Sequence, residues 1–265
     1  MIDLSKTSGL PISFENDNLI LRDEVVSLPV QARKIEEVRD YLQNKGAPTD
    51  LKDVYLMYRD VHFKKDEEIF RDNHLRYDIT VIFPGLIGNE FAKTIGHYHP
   101  VKLGTDMAYP EIYEVLFGTG YFLFQRGIEI YLIKAEQGQK VIVPPGFGHI
   151  IINQNSTHLV VANVFADNVN SIYDFFKNNH GAGYYIVKSD DGNINFEKNL
   201  NYKNTGDLKI GAPLEIQEFN INFNKPLYAS FKENPQSFEF LTSPEKYKNI
   251  LKVDRLFNFK SSVSL

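Results

Sequence analysis

Gly138-Gln139-Lys140-Val141-Ile142-Val143-Pro144-Pro145-Gly146-Phe147-Gly148-His149-Ile150-Ile151-Ile152-Asn153 is the stretch whose reading decides the fold. Lys140 to Val143 has the β-branched composition of a strand. Pro144-Pro145-Gly146 closes it in a turn, because proline presets φ and glycine accepts the conformations other residues avoid. Beyond the turn stands His149. Upstream, Gly96-His97-Tyr98-His99 is followed by Pro110-Glu111-Ile112-Tyr113. In an extended chain successive side chains alternate faces, so His97 and His99 point one way and Tyr98 the other. With Glu111 from the next strand and His149 from a later one, they make a four-ligand shell of nitrogen and oxygen. Such a shell suits first-row divalent transition metals better than calcium or magnesium.

A single histidine on a strand is ordinarily a hydrogen-bonded core or surface residue. The metal reading rests on the conjunction of the histidine pair, the acid before a hairpin and the turn-borne third imidazole. His62, His74, His158 and His180 lack that context and read as structural or surface groups. Glu114 competes with Glu111, but three residues along a strand it faces the opposite side of the sheet. Tyr98, turned away from the site, is expected to pack on another layer or a second subunit.

The remaining sequence punctuates short segments rich in β-branched and aromatic residues with turns at Gly118-Thr119-Gly120, Arg126-Gly127 and Glu136-Gln137-Gly138. That spacing predicts an antiparallel sandwich or barrel, with strands over Val54 to Tyr58, Arg76 to Phe83, Phe91 to His99, Ile112 to Phe117, Tyr121 to Gln125, Ile128 to Ile133, Lys140 to Val143 and His158 to Phe165. Ile35, Val38 and Leu42 recur at helical spacing and predict one helix between Gln31 and Gly46. After Ser189 the composition shifts to Asn and Lys but keeps aromatics such as Phe219 and Phe231, predicting an ordered extension over 190–265 behind a main domain over 1–189. Ser243-Pro244-Glu245 has the form of a helix start.

At 265 residues, 43% hydrophobic and 24% charged, the chain can bury a full core in one large β domain. The net charge of −5 gives no sign of a nucleic-acid surface, and no run is long enough to cross a bilayer. With no cysteine, a metal must be held by His, Asp or Glu. The start Met1-Ile2-Asp3-Leu4-Ser5-Lys6 lacks the pattern of a secretory signal, so a cytoplasmic location is expected.

The spacing Gly138, Pro144, Gly146, His149, Asn153 matches the second cupin motif in full. His97-Tyr98-His99 with Glu111 and Gly118 matches the core of the first, with a longer loop between His99 and Glu111. Within that fold the order of residues resembles the cupin-type glucose-6-phosphate isomerases of archaea and some bacteria. The residues that carry this are Tyr77-Asp78-Ile79-Thr80-Val81, Thr94 to Pro100, Tyr109 to Val115, and Val143-Pro144-Pro145 through His149 to Asn153. The resemblance implies an all-β double-stranded β-helix (jelly-roll) barrel. It implies a divalent metal, iron foremost, with zinc, manganese or nickel accepted by the same shell, held by His97, His99, Glu111 and His149. It places the sugar phosphate at Thr80, Thr94 and Gly96, with Tyr113 lining the sugar pocket, and it implies a homodimer. Some family members carry a tyrosine and a Gly-His-Asp-Tyr run after the last core strand; here the run Asn168 to Tyr173 replaces it, and only Tyr173 matches.

The residues fit aldose to ketose isomerisation on chemical grounds. A metal with two free neighbouring positions can take the adjacent C1 and C2 oxygens, and Glu111 is the carboxylate placed to carry a proton between those carbons. A direct hydride shift would need the same positions but no base. The hydroxyls of Thr80 and Thr94 and a close backbone approach at Gly96 suit a phosphate. Lys93 alternates away from Thr94 and reads as a solvated surface lysine. Two rival readings are a cupin iron dioxygenase and a non-catalytic sugar-phosphate-binding module.

Overall fold

The computed structural model describes residues 1–167 and 169–259, and the period-two segments become two facing sheets. In chain order their strands are β1 (Gln31–Lys34), β2 (Asp53–Tyr58), β3 (Leu75–Ile82), β4 (Glu111–Phe117), β5 (Thr119–Arg126), β6 (Glu129–Glu136), β7 (Lys140–Val143), β8 (Gly148–Asn153), β9 (Leu159–Ala166), β10 (Leu208–Pro213) and β11 (Phe257–Phe259). The six-stranded sheet runs β7-β4-β9-β3-β2-β1 and the five-stranded sheet β8-β5-β6-β10-β11. Every pair is antiparallel except β6 with β10. This is the cupin jelly roll.

Alternation fixes what each strand offers. On β4, Glu111 and Tyr113 face the barrel interior, whereas Glu114 faces out to the Lys140 ammonium at 2.8 Å and accepts the Leu227 N–H at 2.7 Å. Register carries the pattern across the sheet: Tyr113 lies opposite Asn163 and Asn163 opposite Asp78, so one row of interior side chains crosses β4, β9 and β3. Tyr98 packs outward, stacked on Phe176 at 5.1 Å between ring centres, on the short helix Asp174–Asn178.

The 190–259 part of the extension builds onto the barrel. Strand β10 lengthens the five-stranded sheet, β11 follows it, and the helix Leu227–Glu233 sets Tyr228 and Phe231 into the core. The last six residues of the expected extension lie outside the described residues. The long loop after His99 is closed by a Val101 to Ala108 bridge and held to the extension through Lys102 with Glu245 and Asp106 with Lys248.

Three local expectations are corrected. Gln31 to Gly46 is no single helix: Gln31–Lys34 pairs as the edge strand β1, one turn of helix covers Ile35–Val38, and a 3-10 turn covers Arg39–Tyr41. The apolar spacing needs only those two turns to bury Ile35, Val38 and Leu42. Phe91 to His99 is a strand only at Glu90–Phe91. Beyond it the chain touches β8 through isolated bridges, Lys93 to Ile152 and His97 to His149. Ser243 precedes a 3-10 turn, Pro244–Tyr247, with no side-chain cap.

Candidate metal centre

His97 and His99 sit on the irregular segment bridged to β8, Glu111 opens β4, and His149 is the second residue of β8. Register makes them meet. The His97 and His149 backbones bond reciprocally at 3.3 and 3.0 Å, which brings the rings edge to face with centres 4.3 Å apart. One ligand atom from each of the four residues lies within 4.8 Å of the others. A cation about 2.1 Å from each donor holds them no more than about 4.2 Å apart, a separation reached from here by small side-chain rotations.

Local bonding leaves the right atoms free. The His99 Nδ1 lies 2.9 Å from the Tyr109 carbonyl, which assigns it the proton and turns Nε2 inward as a lone pair. Asn163 donates to the Glu111 Oε1 at 2.7 Å, whereas the buried Glu111 Oε2 has no well-aligned hydrogen-bond donor among the described residues. That oxygen lies 3.2 Å from the His149 Nε2 and 3.5 Å from the His99 Nε2, itself also without a hydrogen bond. Tyr113 holds its hydroxyl 3.1 Å from the His149 Nε2. Buried acceptors crowded together without donors are costly unless a cation sits among them, so the residues present fit a bound metal.

The electrostatics agree. Burial holds His99 and His149 down to about 3 and His97 well below its ordinary value, so all three are neutral and their lone pairs are available. Burial also pushes the Glu111 carboxyl up, with the neighbouring His99 opposing. A cation reverses that penalty.

The centre opens into a cavity of about 360 Å³ between the sheets. Thr80, Thr94, Tyr113 and Tyr173 line it, and the Tyr173 ring lies 5.5 Å from that of His97. The Thr94 hydroxyl accepts the Ile151 N–H at 2.9 Å, which fixes its place on the wall. Gly96 is not on that wall. A Cβ there would stand 2.6 Å from Phe176 and 2.7 Å from Ile150, so its small size serves packing behind the site, and only its backbone is left for a ligand. Lys93 is buried, paired with Glu90 under the Tyr185 ring, rather than solvated.

Several wall residues gave no sequence signal: Arg33, Arg59, Arg76, Tyr55 and Asn163. The buried Asp78 joins two of the arginines, taking Arg59 at 2.6 Å and Arg76 at 2.9 Å. Their alternation along β1, along β2 and the residue that follows it, and along β3 and β9 leaves a trace in the sequence that every strand shares. A larger groove of about 810 Å³ runs between the Pro144 to Phe147 turn and the extension, and contains none of the four ligand residues.

A jelly roll with three histidines and one glutamate converging inside it defines a metal-binding cupin. Residues 36–204 match the family model described as glucose-6-phosphate isomerase (GPI). The chain belongs to the glucose-6-phosphate isomerase family. Among its relatives, the glucose-6-phosphate isomerase of Thermococcus gammatolerans is 30% identical over 161 residues, 60% of this chain and 80% of that protein. The glucose-6-phosphate isomerase of Pyrococcus horikoshii is 26% identical over 175 residues, 65% of this chain and 87% of that one. A solved structure of oxalate oxidase superposes with a TM-score of 0.31 at 17% identity, covering 38% of this chain and 46% of that chain.

Proposed function

We propose that this chain interconverts glucose 6-phosphate and fructose 6-phosphate with one divalent transition metal, iron foremost, held by His97, His99, Glu111 and His149. The observation that carries the reading is the convergence of those four donors at the wall of a polar cavity in a chain of this family. When bound, the metal supplies Lewis acidity to oxygens beside the carbon whose hydrogen must move.

The chain's own groups do the rest. Thr80 and Thr94 offer hydroxyls to the phosphate, with the Gly96 backbone behind them. Tyr113 and Tyr173 flank the sugar, and Tyr113 can turn its hydroxyl from His149 to a sugar oxygen once the His149 lone pair is engaged. Glu111 is our candidate for moving the proton between C1 and C2, since burial makes its carboxyl hold a proton more readily than an exposed one. With the Oε2 turned to the histidines and so to the metal, the proton would pass through the Oε1 as it displaces the Asn163 bond. A hydride shift would bypass Glu111. Loss of deuterium from C2 of labelled substrate to solvent marks the proton route, and full retention marks the hydride route.

No helix among the described residues is long and apolar enough to cross a membrane. We place the enzyme in the cytoplasm, in glycolysis and gluconeogenesis, as a homodimer whose small-molecule partner is the sugar phosphate. We retain the division after Ser189, and read the described part of the 190–265 extension, residues 190–259, as a buttress on the five-stranded sheet. A coupled assay for fructose 6-phosphate on chelated and metal-reconstituted protein tests the reading. Turnover restored by metal supports it, and no turnover in loaded protein overturns it.

A further inference from the structure

Three arginines line the metal cavity, and two of them are occupied. Arg59 and Arg76 both close on the buried Asp78. Arg33 is different. Its Nη1 is tied to the Glu37 carboxylate at 2.7 Å, and Glu37 is itself steadied by the Lys34 N–H at 3.0 Å, so one edge of the guanidinium is anchored. The guanidinium lies beside the Tyr55 side chain, but its buried Nε has no well-aligned acceptor among the described residues. A buried donor without an acceptor costs free energy unless a ligand supplies one.

Register says which part of the cavity Arg33 serves. Arg33 lies opposite Tyr55 on β2, Tyr55 opposite Ile82 on β3, and Met57 opposite Thr80. The row with Asp78 and Asn163, whose amide holds Glu111, is two side-chain steps further along β3 than the Ile82 row. Two such steps are about 13 Å. Thr80 stands between the rows. A sugar phosphate bound with its first carbons toward Glu111 directs its phosphate past Thr80 toward Tyr55, and an arginine side chain spans the remainder.

We propose that Arg33 is a substrate-binding residue that donates to the phosphate of glucose 6-phosphate at the cavity end away from the histidines. Arg33 lies just outside the stretch 36–204 that matches the family model, on the edge strand of the six-stranded sheet. A guanidinium there discriminates a phosphorylated sugar from a free one, because a fixed fork of N–H groups matches phosphate oxygens. The proposal rests on the isomerase reading for the ligand's identity, but not for its test.

The test compares wild type with Arg33→Gln and Arg33→Lys, all metal-loaded, by titration calorimetry with sorbitol 6-phosphate and with sorbitol, and by initial rates on glucose 6-phosphate. One lost charge-assisted bond predicts roughly 10- to 100-fold weaker binding of sorbitol 6-phosphate by Arg33→Gln. Sorbitol binding, metal content and melting temperature stay as in wild type. KM for glucose 6-phosphate rises by a similar factor with kcat within about threefold, since the interaction is uniform along the reaction. Arg33→Lys recovers part of the loss. Affinity for sorbitol 6-phosphate within twofold of wild type in both variants overturns the proposal, as does an equal loss for sorbitol. If wild type binds sorbitol 6-phosphate through Arg33 and yet shows no turnover, the isomerase reading fails and this one stands.

Discussion

Replacing Asn163 by leucine is the sharpest probe of how the centre is built. The side chains have similar volume, and the loss is confined to the amide that donates to the Glu111 Oε1 at 2.7 Å within a buried site. Hydrogen bonds to charged groups contribute about 1.5–3 kcal/mol, and each 1.4 kcal/mol is about tenfold in affinity. The loss falls on metal binding more than on folding. Without the metal, Glu111 escapes by taking up a proton, since burial already pushes its carboxyl up; with the metal it must be a carboxylate, and its outer oxygen would then be buried without a donor. Asn163→Leu is therefore expected to bind metal roughly 10- to 100-fold more weakly. Competition against a chromophoric chelator near neutral pH reads this directly. An affinity within twofold of wild type would refute the reasoning, as would a variant whose folding stability falls while its metal affinity holds.

Other outcomes follow from the same geometry. Lys140→Ala strands the buried Glu114 carboxylate and should cost about 3–5 kcal/mol in chemical denaturation, whereas Glu114→Leu with Lys140→Met should recover part of that loss, the Leu227 N–H being left without its acceptor. Equal losses in both would contradict a pairing role. In metal-free protein, His99 and His149 are held down to about 3 against an ordinary 6.5, so below about 6.5 the unfolded chain takes up protons first. Their contribution to stability is complete above 6.5 and is lost as the pH falls toward 3. The melting temperature should drop across that window, and less steeply in His149→Gln; identical slopes would remove His149 from this account. Gly148→Ala drives a Cβ into the Tyr98 ring and to 2.7 Å from Phe176, and is expected to destabilise the fold by about 1–3 kcal/mol. A melting temperature unchanged from wild type would show that the packing there yields.

The metal ligands were legible because their spacing is local: two histidines two residues apart, an acid at the head of a strand, and a third histidine after a Pro-Gly turn. The cavity arginines were not. Arg33, Arg59 and Arg76 come from separate strands, and only the pairing of β1, β2 and β3 brings them to one wall. The burial of Lys93 is illegible in the sequence for a related reason, since its partner Glu90 and the covering Tyr185 are set by the fold. Helical spacing at Ile35, Val38 and Leu42 suggested more helix than forms, because Arg33 and Lys34 are taken up by an edge strand whose pairing outweighs local propensity. The extension's aromatics announced a packed segment, but a parallel pairing such as β10 on β6 depends on residues far apart in the chain and leaves no periodic mark.

Metal content per chain tests the central claim most directly. Wild type and His149→Ala, dialysed side by side and measured by elemental analysis, should give close to one equivalent of a transition metal and far less than one. Equal metal in the two proteins, or none in a wild type that isomerises glucose 6-phosphate, would contradict it.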